Sequence, residues 1–382
     1  MTLSPARVPA TGVRRLTATL YGYSFLDDFV LLYPVYALLF ADTGMSLWQI
    51  SSLFALWSIT GVLLEVPSGA WADAVSRRRL LWTGPLLTAA GFVLWGAGGA
   101  LGSGALEALV YDELDRLGAA DRYAGVMGRS RAARLLGTVS SIGLAGPVFA
   151  RGGYAAVGAA SFVACVLTAA VATRFPEHRV RVGTDDDGWA KTLRTGLAEV
   201  RGDRAVRGAL LLVPAVAAVW GALDEYTPLL VRDIGVAEAT VPYLIMLIWA
   251  GVTLGSLLTG PAERLGTTGL AALLAASALA LAIGAVARSL AGIALVGLAF
   301  AGFQLAEVLA DVRLQHRIDE SRRATLTSVA SLGTELATVV TFGVYALLGT
   351  EAAHSTVFAV LAVPYLVTAL ALARSRAATA RR

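Results

Sequence analysis

Apolar residues run along this chain in stretches of membrane-spanning length, separated by short polar segments. In the first half they cover residues 18–41, 46–70, 80–98, 99–114, 132–150 and 154–175, and in the second half 209–231, 240–259, 270–287, 290–310, 325–348 and 356–373. About 20 residues of helix cross a bilayer, and a helix satisfies its own backbone polar groups where no water can. The pattern therefore predicts an all-α integral membrane fold of twelve transmembrane helices in two six-helix halves, residues 1–175 and 208–382. The polar stretch 176–207 between them reads as a cytoplasmic linker. It holds Asp185, Asp186 and Asp187, then an amphipathic piece, 189–200, expected to lie on the membrane surface. The third and fourth spans fit tightly, because Arg79 and Arg116 must lie on the same face, which shortens that hairpin.

Composition sharpens this reading. Hydrophobic residues make up 57% of the chain and charged residues 15%, which excludes an ordinary soluble enzyme. A pI near 9.4 would suit nucleic acid, but the arginines are scattered between apolar runs and form no patch. Under the twelve-span scheme with both termini in the cytoplasm, only Arg151, Arg232 and Arg288 fall outside, as the positive-inside rule requires. A multi-pass protein of the cell membrane is expected. The single cysteine, Cys165, and the widely spaced His178, His316 and His354 offer neither a disulfide nor a metal site.

The halves also repeat one another. Asp27-Asp28 with Pro34 in the first span matches Asp224-Glu225 with Pro228 in the seventh, and each is followed by a short turn, Asp42-Thr43-Gly44 or Asp233-Ile234-Gly235. Gly69 to Asp73 after the second span matches Gly260 to Gly266 after the eighth. Glu107 and Asp112 in the fourth match Glu307 and Asp311 in the tenth.

With these features the sequence resembles the major facilitator superfamily of secondary transporters, in particular bacterial drug-efflux-like permeases. The segment Gly69-Ala70-Trp71-Ala72-Asp73-Ala74-Val75-Ser76-Arg77-Arg78 is similar to the family's loop signature G-x-x-x-D-R-x-G-R-R, with Ala74 and Ser76 in place of its first arginine and second glycine. Glu65-Val66-Pro67-Ser68-Gly69 is similar to its E-x-P-x-G helix ending, and Gly146-Pro147 partly matches an antiporter signature. The fourth span has Glu107 and lacks the arginine often found there in drug:proton antiporters of the family. The resemblance implies a gating loop at Gly69, Asp73, Arg77 and Arg78, in which a carboxylate at a helix end latches to arginines that follow. The same arginines also serve as topology determinants.

The residues themselves point to buried acids as the chemistry on offer. A charge inside a span costs about 2.5–3.5 kcal/mol on insertion scales, so those retained there mark ion or substrate paths. Desolvation favours the neutral form of a carboxylate, which suits it to carrying a proton. By depth, Asp27, Asp28, Glu107, Asp224, Glu225 and Glu335 are the candidates for proton coupling or substrate binding. Which member of each adjacent pair faces a cavity is left open. Asp112, Glu113 and Asp311 lie nearer span ends, where Arg131, Arg134 or Arg313 is expected to pair with them. Tyr23, Trp220 and Tyr226 are the candidate cavity aromatics, suited to a flat cation.

The expected function is a proton-coupled secondary transporter, an exporter of hydrophobic or cationic small molecules working by alternating access. A proton-symporting importer of a polar metabolite uses the same acids, and a non-transporting receptor or assembly protein on the same fold is a third reading. No nucleotide loop, nucleophile elbow or metal constellation appears, so neither an enzyme nor a cofactor is expected. The expected partners are a small-molecule substrate, protons and the lipid bilayer, with no nucleic acid, and the chain is expected to be a monomer.

Overall fold

A computed structural model describes residues 10–74, 76–102, 105–178, 204–317 and 323–379, with the side chains of 10, 65–74, 204–205, 323–325, 328 and 375–379 outside the described set. Most of the expected linker and the whole amphipathic piece 189–200 lie outside the described residues. All regular structure among the described residues is helical. Nine segments there are long and apolar enough to cross a membrane, and one of them, 120–172, is divided by a turn into two arms.

The chain separates into two compact units, Met1–Pro34 with Leu56–Asp185, and Val35–Ala55 with Asp186–Arg382. In the first unit, helix α1 (Ala10–Asp27) ends where the apolar pattern predicts a continuous span to residue 41. Pro34 supplies no N–H and its ring crowds the carbonyl one turn earlier, which weakens helix in the residues just before it. The break is closed by tight turns, Phe29 N to Leu26 O and Tyr33 N to Val30 O. A backbone donor it releases, Leu32 N, is taken up by Ser161 Oγ at 2.9 Å, which meets the need for internal partners in a membrane. A 3₁₀ turn (Tyr33–Val35) and the short α2 (Tyr36–Asp42) follow in the chain, α2 within the second unit.

Helix α3 (Leu47–Ala74) is followed by α4 (Arg77–Ala90), α5 (Phe92–Gly102) and α6 (Ala105–Arg116). At 1.5 Å per residue the 14 residues of α4 reach roughly 21 Å, short of the roughly 30 Å hydrocarbon core. The shortened hairpin packs closely, since a Cβ on Gly98 would lie 2.5 Å from Gly84 O. Helix α7 (Tyr123–Ala172) is kinked at Gly152-Gly153, where Gly153 has a φ of 57°, and packs on α1 and α4. Leu16, Leu20, Tyr23, Leu81, Leu109 and Phe175 form the core of this unit.

The second unit holds α8 (Arg204–Arg232), α9 (Val241–Leu257), the one-turn α10 (Thr259–Ala262), α11 (Thr267–Val286), α12 (Leu290–Gln315), α13 (Arg323–Gly349), α14 (His354–Leu361) and α15 (Val363–Thr379). Helix α8 packs on α12 and α13, α9 on α12, and α11 on α12, α14 and α15. Pro364 lies just after the break between α14 and α15. The hairpin of α11 and α12 repeats the glycine contact of the first unit, a Cβ on Gly284 falling 2.6 Å from Gly292 O. Stacked rings, Tyr226 on Tyr345 and Phe303 on Tyr365, with centroids 3.5 and 3.9 Å apart, fill its core.

Candidate functional site

The end of α1 places Asp27 and Asp28 where the helix stops, so their carboxylates point into a cavity of about 350 Å³ inside the first unit. Tyr23, Glu107, Arg131 and Arg134 line the same cavity. Arg134, on α7, donates from Nη2 to Asp27 Oδ2 at 2.5 Å, and its Nε stands 3.6 Å from Asp28 Oδ2. The sequence reading paired Arg134 with acids near the span ends; the structure gives it to Asp27 and Asp28 instead. The reason is geometric, because α7 packs along α1 and presents Arg134 beside its terminus. Arg134 is the cavity residue whose partners sequence reasoning placed elsewhere. Arg134 lies near the start of the apolar fifth span, so its depth alone did not single it out.

The surrounding polar groups are organised around that pair. Ser24 and Ser130 Oγ atoms hydrogen-bond at 2.7 Å across α1 and α7. Tyr23 is buried and donates to Leu81 O at 3.3 Å, fixing its ring edge against the cavity. The wall thus carries carboxylates of Asp27, Asp28 and Glu107 against the guanidiniums of Arg131 and Arg134. With all of them ionised, one negative charge is in excess.

The acids nearer the span ends have other partners. Asp112 meets Arg77 at 2.5 Å. Glu113, 2% exposed, accepts from Arg116 at 2.9 Å and from the backbone of His178 at 2.7 Å. Arg313 donates to Leu265 O at 2.7 Å, and not to Asp311. Of the gating residues, Gly69 and Asp73 fall in the last turns of α3, and their side chains lie outside the described residues. Arg77 N donates to Glu177 Oε1 at 2.6 Å, Ser76 Oγ donates to Glu177 Oε2, and Arg78 is exposed.

In the second unit, Glu307, Asp311 and Glu335 share a cavity of about 380 Å³ with Thr327 and Thr334. Trp220 Nε1 donates to Glu307 Oε2 at 2.9 Å, so Trp220 does stand beside a carboxylate, though one outside the candidate set. Asp224 and Glu225 are half-buried on α8. Glu225 Oε2 is buried and has no hydrogen-bond partner among the described residues. Tyr226 is fully buried, with its hydroxyl 2.6 Å from Ser51 Oγ, and sits in an aromatic core with Phe54, Phe342 and Tyr345.

The sequence pattern of the Major Facilitator Superfamily matches residues 17–312. Similar solved structures include the nucleoside transporter NupG, at 15% identity and a TM-score of 0.70 over 94% of this chain and 98% of that one. A bacterial homologue of the human lysosomal transporter Spinster matches at 16% identity and 0.67, over 97% of each chain. A D-xylose-proton symporter matches at 16% and 0.63, over 95% of this chain and 97% of that one. At these identities the likeness is one of fold. No curated protein sequence matches the chain.

Proposed function

Since this chain belongs to the major facilitator superfamily, we propose that it is a proton-coupled secondary transporter that exports hydrophobic or cationic small molecules from the cell by alternating access. The observation that carries this reading is the cluster of Asp27, Asp28 and Arg134 on the cavity wall. Two carboxylates and one guanidinium leave a single negative charge when all are ionised. A proton on either aspartate cancels it, and a cationic substrate in the cavity cancels it equally well. Proton and cation therefore compete for one charge, and that exclusion is the requirement for exchange. At about 350 Å³ the cavity falls at the small end of the range for ligand pockets, about 300–1,000 Å³. Tyr23 and Trp95 on its wall offer ring surface to a flat cation. Glu225, Glu335 and Asp224 are the acids we assign to coupling in the second unit, and Asp73, Arg77 and Arg78 to the gating loop.

A second reading is favoured by Arg131 and Arg134, whose donors suit a hydroxylated or anionic metabolite imported with a proton. The D-xylose-proton symporter shares the fold and carries such an activity in its name. The two are separated in proteoliposomes with an imposed pH gradient, using ethidium as the cationic probe and a radiolabelled pentose or nucleoside as the polar one. Ethidium flux against the proton gradient, lost in Asp27→Asn, Asp28→Asn and Glu225→Gln, supports export. Pentose or nucleoside flux with the gradient selects import, and unchanged pH coupling in all three variants removes the acids from the mechanism.

A further inference from the structure

The second unit carries a groove that the transport reading does not use. It has a volume of about 630 Å³ and is walled by apolar residues of α8 and α15, among them Leu211, Leu212, Val367 and Ala371. Leu211 and Val367 are 63% and 59% exposed, so the groove opens on the flank of the helices, not into a sealed interior. Arg313 and Arg317 stand at one end, where α12 finishes. Arg313 lies in the last turn of α12, and Arg317 lies two residues beyond its end. Arg313 Nη2 is tied to Leu265 O at 2.7 Å, which holds its guanidinium beside the groove. Arg207 and Arg264, both exposed, are next in sequence to the lining residues Gly208 and Leu265, and exposed Glu263 adjoins Arg264.

An apolar trough whose lining includes two arginines matches an acyl chain joined to an anionic headgroup. We propose that this groove is a binding site for an anionic glycerophospholipid, its phosphate on Arg313 and Arg317 and an acyl chain along α8 and α15. Guanidinium forks bind phosphate oxygens through paired hydrogen bonds, and basic pockets between membrane helices hold anionic headgroups for the same reason. An acyl chain laid in the trough exchanges mobile lipid or detergent neighbours for packed side chains, so the trough positions the lipid and the headgroup sets the preference among lipids. A zwitterionic lipid has the chain but offsets the phosphate with its own cation, and free phosphate has the charge without the chain.

Native mass spectrometry of the full chain in detergent micelles tests this with dioleoylphosphatidylglycerol, dioleoylphosphatidylcholine and inorganic phosphate. Phosphatidylglycerol adducts are expected to survive activation better than phosphatidylcholine adducts and to resist competition by phosphate. Arg317→Gln should weaken phosphatidylglycerol binding about fivefold, and the double Arg313→Gln, Arg317→Gln variant further. Arg313→Gln also loses the tie to Leu265, so Ala371→Trp serves as a second variant that fills the trough and leaves both arginines in place; it too should lose the lipid. Thermal unfolding confirms that each variant is folded. Equal retention of the two lipids, displacement by phosphate alone, undiminished binding in Arg317→Gln or Ala371→Trp, or a dimer that Ala371→Trp disperses would each overturn the proposal.

Discussion

Arg134 on α7 bridges both aspartates at the end of α1, donating to Asp27 at 2.5 Å and standing 3.6 Å from Asp28. The unequal distances set an order of importance. Asp27→Asn removes the closer partner, whereas Asp28→Asn leaves the closer pair intact. Arg134→Gln leaves two carboxylates side by side without a counter-charge. Breaking a fully buried pair costs about 3–5 kcal/mol. Arg134 is 46% exposed to the cavity, so solvent screening lowers this to about 1–2 kcal/mol. Gradient-driven transport in proteoliposomes should fall most in Arg134→Gln, then in Asp27→Asn, and least in Asp28→Asn. A larger loss in Asp28→Asn than in Asp27→Asn would remove the short pair from the coupling site.

The close hairpin of α4 and α5 makes a packing prediction. A Cβ on Gly98 would fall 2.5 Å from Gly84 O, inside any tolerable contact with a backbone atom. Gly98→Ala should therefore force the helices apart at about 1–3 kcal/mol, the usual cost of overpacking. Gly158, mid-helix in α7 with open space around it, is the control. Gly158→Ala should be neutral or stabilising by up to about 1 kcal/mol, because alanine is the better helix former. Thermal unfolding in detergent compares the two, and equal melting temperatures would mean the glycine contact is not limiting.

Helical class and the short hairpin were legible in the sequence because each rests on local quantities, apolar run length and the spacing of arginines. The break in α1 was less so. Pro34 was visible, but run length alone read 18–41 as continuous, and the residue that accepts the released Leu32 donor, Ser161, lies far along the chain. Partners of charged groups were the least legible. Asp112 lies 35 residues from Arg77 and Asp27 lies 107 from Arg134, separations that only the packing of α1, α4, α6 and α7 closes. Tyr226 shows the same limit, since its place among acids and aromatics in sequence did not reveal that neighbours from α3 and α13 bury it completely.

That burial makes Tyr226 and Ser51 a measurable pair. Their hydroxyls lie 2.6 Å apart in a core where neither reaches water. Tyr226→Phe or Ser51→Ala alone strands the other hydroxyl, and each should cost about 1–3 kcal/mol, the price of an unsatisfied buried group. The double variant removes both needs together and should cost clearly less than the two singles summed. Strict additivity in a double-mutant cycle of unfolding would show that the bond contributes nothing.

Glu225 is the reverse case, a group whose removal should help the fold. Its Oε2 is buried without a hydrogen-bond partner among the described residues, so whatever desolvation costs is not offset at that atom. A structural carboxylate would be retained for its partners, while one retained at a cost to stability is expected to act in a step of the transport cycle. Glu225→Gln keeps shape and volume and removes the ionisable proton. Its melting temperature should be equal to or above that of the parent, while pH-gradient-driven flux falls and exchange of substrate without a gradient persists. If instead the variant melts several degrees lower and keeps its response to the gradient, Glu225 is a structural residue and coupling in the second unit must rest on other acids.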